Sequence, residues 1–266
     1  DYNMKSYLRF LSRNKLYTAI MVVGLSVSLA FVILLSSYII DSISYDKDIY
    51  DKDKIYVCHF INMASSFSHL GNSFEKCPEI EDYCQFTELH LKLSIDGNAF
   101  EDDALAVSNN FFEFLPYKLT HGKAGEVLDD EHSAVVSESF AERTFPGDNP
   151  IGKQMVCTLN DATVTLVVSG VFEDVKKTQI LHSDIVINQN FYDYQQVALF
   201  PCGNLLHISD EANLTELAER VYNGCDTFMF KEKLAAKLIF TKLSELDINV
   251  GTLSPFENLY DRTLQK

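Results

Sequence analysis

Twenty-five consecutive positions, Leu16 to Ile40 (LYTAIMVVGLSVSLAFVILLSSYII), carry no charge. As a helix rising about 1.5 Å per residue they span roughly 37 Å, enough to cross a bilayer core with some tilt. A secretory signal would have a shorter apolar run closed by small residues. This run ends in Tyr38, Ile39 and Ile40, so the pattern predicts a retained transmembrane helix over 16–40. Its serines are tolerable because a hydroxyl can bond back to the preceding turn. Just before it, MKSYLRFLSRNKLY sets Tyr7, Leu8, Phe10 and Leu11 among Lys5, Arg9 and Arg13. That is the pattern of a short amphipathic helix lying on a lipid surface with its cations near phosphates.

Beyond residue 40 the pattern shortens and alternates. KIYVCHFI reads as a strand. NSFEKCPEIEDYC reads as a short helix interrupted at Pro78. CQFTELHLKLSIDGNAFEDDALAVS alternates on both sides of DGN and predicts a hairpin. NNFFEFLPYKLTHG predicts a short helix capped by Asn109 or Asn110, with Phe111, Phe112, Phe114 and Leu115 facing the core. SAVVSESFAERTF predicts a strand running into a helix, with Ser137 as cap and Phe140, Ala141 and Phe145 inward. KQMVCTL, ATVTLVVSGVFED, SDIVINQ and CGNLLHISD read as further strands. EANLTELAERVYNG reads as a helix capped by Ser209 or Asp210 and ending at Gly224. KEKLAAKLIFTKLSEL is either one more helix or a helix followed by a strand. Strands and short helices mix without a regular βαβ period, which predicts an α+β fold.

Charge divides the chain in the same place. Of 22 Lys and Arg and 38 Asp and Glu, residues 1–40 hold Lys5, Arg9, Arg13 and Lys15 against Asp1. That leaves 18 basic and 37 acidic residues in the remainder, a body that repels nucleic acid. Cations before the span and acids after it predict a cytoplasmic N-terminus and an extracytoplasmic 41–266. The acidic run DSISYDKDIYDKDKIY lacks the D-x-[DN]-x-[DN]-G spacing of a calcium loop and reads as a solvated stalk. Six cysteines show no C-x-x-C pair. CPEIEDYC could close a small disulfide loop, or its thiols could be small buried hydrophobes. Seven histidines are scattered without H-E-x-x-H, and no serine sits in G-x-S-x-G. No metal, cofactor or catalytic residue is predicted. Asn213-Leu214-Thr215 matches a glycosylation acceptor, a pattern too common to weigh.

GDNPIGKQ, residues 147–154, falls one letter short of the phosphate loop G-x-x-x-x-G-K-[ST]. A phosphate loop follows a strand and opens a helix, whose N-terminus holds the anion. Here a helix leads in and a strand leads out. Gly147, Pro150 and Gly152 are what a tight helix-to-strand turn needs, so a structural turn is predicted.

The longer run AVVSESFAERTFPGDNPIGKQM closely resembles a segment of MacB/FtsX-like ABC transporter permeases. In that family an "SE-x-x-A-x-x-x-F" helix leads into "G-x-x-N/D-P-I-G-K" and paired strands. YLRFLSRNKLYTAIMVVGLSVSLA resembles the family's first transmembrane helix, and SYDKDIYDKDKIYVC its exit. VSNNFFEFLPYKLTHGK and VSGVFEDV fit as well, so the resemblance runs from residue 4 to about 260. It implies a periplasmic core of two α+β subdomains anchored in the bacterial inner membrane. One would comprise 41–103 and 188–266, the other an inserted 104–187. It also implies a longer permease with three more spans, in which a separate cytoplasmic ATPase hydrolyses ATP and the permease itself does not. Lys5, Arg9, Arg13, Asn14 and Lys15 are the candidate contact with membrane lipid or that ATPase. Gly24 and Ser28, with Ser26 and Ala30, are a candidate packing face for a homodimer or pseudo-dimer. A periplasmic adaptor or outer-membrane partner is a further candidate. The competing reading is a membrane-anchored sensor whose outer domain binds a small ligand.

Overall fold

The computed structural model describes residues 13–43, 49, 53–60, 66–159, 162–175, 180–191, 201–225 and 237–245. The chain divides into two units, residues 1–45 and 46–266. In the first, helix α1 (Lys15–Ile43) continues through the predicted span and three residues beyond it. It is the one described helix long and apolar enough to cross a membrane, and its apolar stretch has no buried residues. An apolar surface of that kind needs lipid or other helices around it.

The second unit is α+β. Its elements are β1 (Ile55–Phe60), β2 (Ser66–Phe67), α2 (Gly71–Phe74), β3 (Ile80–Ile95), β4 (Asn98–Val107) and α3 (Phe111–Phe114). There follow β5 (Leu119–His121), β6 (Ser133–Ser137), α4 (Glu138–Thr144), β7 (Gln154–Leu159), β8 (Ala162–Phe172) and β9 (Ile185–Asn188). β10 (Pro201–Ile208), α5 (Leu214–Gly224) and β11 (Leu238–Lys242) complete the described set.

The main path through the sheet is β11-β1-β10-β3-β4-β9-β6-β8-β5, with β2 on β10. β7 pairs with both β3 and β8. Strands β3, β4, β9, β6, β8 and β7 therefore close into a ring. Two of its pairings, β4 with β9 and β6 with β8, are parallel, and the rest are antiparallel.

Alternation along the strands decides what fills that ring. Leu91, Ala104, Ile185, Ala134, Leu166 and Met155, one from each ring strand, belong to a single buried cluster with Phe140 of α4. The opposite face carries Leu105, Val107, Val135 and Val186, and packs against Phe111, Phe112, Phe114 and Leu115. A third cluster covers the β1–β10 side, where Phe74 of α2 and Leu217 and Val221 of α5 meet Phe60, Leu206 and Ile208. Burial of this apolar surface is the main force holding the unit together.

The hairpin forms where the sequence predicts it. Asp96 and Gly97 both have positive φ, 50° and 83°, the backbone of a type I′ turn that matches strand twist. Ser137 caps α4, its hydroxyl accepting from the Phe140 amide at 3.1 Å. Phe140, Ala141 and Phe145 are buried as expected.

Other local expectations need correction. Asn110 is the residue before α3, yet its side chain makes no cap. Its amide instead donates to the Asp82 carboxylate and the Tyr83 carbonyl, tying α3 to β3. The helix predicted around Pro78 is confined to Gly71–Phe74. Residues from Ile80 onward are claimed by pairing with β10. α5 is capped by Asn213, which accepts from the Glu216 amide, and not by Ser209 or Asp210. Ser209 is held in a turn, its amide on the Glu79 carbonyl and its carbonyl on the Ala212 amide. The cap at Asn213 is the residue of the glycosylation-like triplet. At the far end, Leu238–Lys242 is a strand, while residues 231–236 lie outside the described residues.

All six cysteines are buried, and none is in a disulfide. Cys77 and Cys84 lie in different apolar clusters, so CPEIEDYC is not a closed disulfide loop. Burial pushes the Cys58, Cys84 and Cys202 thiols well above their ordinary range, which suits small hydrophobes and not nucleophiles.

Candidate functional site

The segment that drew most attention in the sequence is a turn fastened from within. α4 ends at Thr144, and β7 begins at Gln154. Gly147 and Gly152 have φ of +77° and +85°, and a Cβ on either would touch nothing within 4 Å. The glycines are there for backbone sign, not for space. Four loop amides are already engaged. Asp148 N donates to the Phe145 carbonyl, Ile151 N to Asn149 Oδ1, Gly152 N to the Val168 carbonyl and Lys153 N to the Pro150 carbonyl. Lys153 Nζ donates to Asp148 Oδ2 at 2.9 Å within the same loop. That bond holds the Asp148 carboxyl below its usual range and the Lys153 ammonium above. Asp148's share of the pairing is present at neutral pH and lost as pH falls through its lowered pKa. Four amides of the loop and its lysine are thus committed to partners within the fold, not turned toward an anion.

Gly152→Ala is therefore expected to cost about 1 kcal/mol or somewhat more through strain at positive φ. Thermal melting of the variant checks the cost. ATP titrated onto the chain should give no binding heat, with or without Lys153→Ala.

Upstream of the turn, Ser137 does more than cap a helix. Its hydroxyl also reaches Asp184 Oδ1 at 2.8 Å, and its amide donates to the Asp184 carbonyl. Arg143 Nη2 approaches the other Asp184 oxygen at 3.4 Å. The serine of the sequence pattern thus joins the β6–α4 corner to the start of β9. Nothing local signals Asp184, because it lies 47 residues away in the chain.

The other predicted positions fall on α1 or before it. Lys5 and Arg9 lie outside the described residues. Arg13, Asn14 and Lys15 are exposed at the start of α1, and the Asn14 carbonyl accepts from the Thr18 amide. Gly24 and Ser28 lie one turn apart on α1, and the Ser28 hydroxyl donates to the Gly24 carbonyl at 2.9 Å. That bond satisfies the serine within its own helix, as a hydroxyl in lipid requires. Among the described residues no group of His, Cys, Asp and Glu is placed to hold a metal ion.

The family described as the MacB-like periplasmic core domain matches residues 18–222, about three quarters of the chain. The chain belongs to that family. The fold is shared with solved domains of low identity. A domain of a putative permease protein from Porphyromonas gingivalis aligns with a TM-score of 0.61 at 15% identity, covering 73% of this chain and 92% of that one. The periplasmic region of MacB from Actinobacillus actinomycetemcomitans gives 0.50 at 15% identity, with 71% and 89% covered. The extracellular domain of the noncanonic ABC-type transporter YknZ from Gram-positive bacteria gives 0.50 at 9% identity, with 70% and 99% covered. No curated protein matches the chain. The second unit is thus a MacB-like periplasmic domain of an ABC-type transporter permease, preceded by one apolar helix. The MacB-like match includes the SE-x-x-A helix and the glycine turn.

Proposed function

We propose that the chain is a permease subunit that converts ATP hydrolysis by a separate cytoplasmic ATPase into movement of an extracytoplasmic domain. One observation carries this reading: the family match begins at residue 18, inside α1, and runs on through the folded unit to residue 222. Helix and domain are parts of one inherited design. A force applied to the helix at one membrane face would reach the domain at the other.

In this reading Arg13, Asn14 and Lys15, with Lys5 and Arg9 before them, contact lipid headgroups or the ATPase on the cytoplasmic side. Gly24 and Ser28 form a close-packing face toward a second copy or a homologous half. Residues 104–187 act as an inserted subdomain within 41–103 and 188–266. The membrane is the bacterial inner membrane, and a periplasmic adaptor or outer-membrane protein takes up the motion outside. Export and mechanical signalling are both uses of this one device.

The topology is testable with a single thiol. The native cysteines are all buried, so background labelling is low. Asp148→Cys, in an exposed turn, should react with a membrane-impermeant maleimide on intact spheroplasts. Lys5→Cys should react only after permeabilisation. The opposite pattern would put the folded unit in the cytoplasm and end the proposal.

A further inference from the structure

β7 and β8 turn alternate residues into the ring. Met155, Cys157, Leu166 and Val168 are buried in its cluster, so Val156 and Val167 face outward. Both are exposed, by 38% and 37%, at positions where a solvated strand face carries polar residues. With Ile151, in the turn ahead of β7, they are the exposed large apolar side chains of the second unit among the described residues. Apolar residues scattered singly over a surface need no explanation. These three are not scattered. Val167 stands opposite Gln154, and Val156 stands opposite Thr165 on one side and Ser94 of β3 on the other. The two valines are therefore diagonal neighbours on one face. The Gly152 amide donates to the Val168 carbonyl, which lays the turn of Ile151 alongside β8.

Negative charge is missing from the same face. Ser94, Gln154, Thr165 and the facing pair Thr158 and Thr163 surround the valines, and none of them is acidic. Yet the chain beyond residue 40 holds 37 acidic against 18 basic residues. Carboxylates return at the borders, Glu101 beside Lys92 and Glu131 beside His132. Two bodies of such charge repel unless they meet where the charge is absent. A second copy is a body of that kind, carried on its own α1. Size bears on the same point. Three strands about 4.8 Å apart present on the order of 300 Å² here, short of the roughly 800 Å² per partner of a standard stable interface. Detached in solution, such faces would part. Copies tethered in one membrane meet at a high local concentration, where a weak contact suffices.

We propose that the outer face of β7 and β8 is a contact between the folded units of two copies of this chain. The two sheets pack face to face about a two-fold axis that passes beside Val156 and Val167. The valines of one copy rest on the valines and threonines of the other, and the charged borders stay in water. The proposal rests on the reading of α1 as the anchor of a permease that works as a pair. It goes beyond that reading by placing a contact outside the membrane, on named strands. A contact of this size can be made and broken as the anchors move, which a large interface would resist.

The test places the full chain in liposomes and treats it with a short bismaleimide. Background is low because the native cysteines are buried. Val156→Cys should cross-link to a second copy about fivefold more than Glu219→Cys, which sits on the exposed side of α5. In the Val156→Cys chain, Val167→Glu alone and Val167→Lys alone should each cut the yield about fivefold, because a two-fold contact sets like charge on like. Mixing the two should restore it, in dimers of one Val167→Glu and one Val167→Lys copy told apart by tag length. A fold damaged at position 167 would not recover on mixing. Equal yields at the two cysteine positions would mean chance encounters in the bilayer. Loss without recovery on mixing would mean that Val167 does not face its own counterpart. In native membranes, a cross-link from Val156→Cys to a different protein in place of a second copy would give the face to that protein. Each of these three results overturns the proposal. None of them bears on recovery of an ATPase partner, so the two readings fail separately.

Discussion

Phe140→Ala lowers the stability of the second unit by about 3–5 kcal/mol. Phe140 is fully buried in α4 and belongs to the cluster that fills the six-strand ring. Its ring lies 6.3 Å from that of Phe100 on β4, and the Arg143 guanidinium lies over it at 5.4 Å. Truncation removes the aromatic contacts and leaves a cavity that a closed ring of strands cannot collapse around. For a unit of this size each kcal/mol moves the melting temperature by roughly 2–4 °C, so a fall of about 10 °C is expected. The chain has 13 tyrosines and no tryptophan, so near-ultraviolet dichroism of the tyrosines is the natural probe. Thr165→Ala, on the solvent side of β8, should stay within about 0.5 kcal/mol. Equal effects at the two positions would mean that the ring is not the core.

Asn204→Leu is expected to cost about 2–4 kcal/mol, for a polar reason. Asn204 is fully buried on β10. Its carbonyl oxygen accepts from Gln85 Nε2 at 2.6 Å, and its amide donates to Ser66 Oγ at 2.6 Å and approaches Cys202 Sγ at 3.3 Å. Gln85 continues to the Ser68 carbonyl, and Ser66 to the Cys58 carbonyl. One side chain thus ties β10 to β3, β2 and β1. Leucine satisfies none of these groups and leaves their desolvation uncompensated. Unfolding of Asn204→Leu, Gln85→Leu and the double variant forms a cycle. The double variant should be less destabilised than the sum by at least about 0.5 kcal/mol, because both singles break the same link. Strict additivity would show that the two amides act independently.

What the sequence disclosed depended on how far each determinant lies along the chain. α1, the DGN hairpin and the Ser137 cap rest on contacts within a few residues, and all three were legible. The strand pattern also announced an α+β fold. Closure of the ring was not legible, because it needs β4 beside β9 and β7 beside β3, pairings between distant segments with no local mark. The caps show the same limit. Asn110 has the residue type of a cap, but Asp82 and Tyr83, 28 and 27 residues earlier, take its amide. Asn213 makes a cap that the sequence offered as a glycosylation pattern. The candidate site divides in the same way. The glycine turn was readable as a turn, since a helix before it and a strand after it exclude a phosphate loop. The partner of its lysine, Asp148, was in plain view five residues away. Asp184 joins Ser137 only through tertiary packing.

The reading of helix and domain as one transmission device is tested most directly by what accompanies the protein from the membrane. Full-length gene product should be isolated in mild detergent and its companions identified by mass spectrometry. A stoichiometric ATPase of the ATP-binding-cassette type is the expected result, and it places the nucleotide in the partner. If no such ATPase appears, and the full-length product instead carries a cytoplasmic signalling domain, the coupling account is contradicted and a membrane-anchored sensor takes its place.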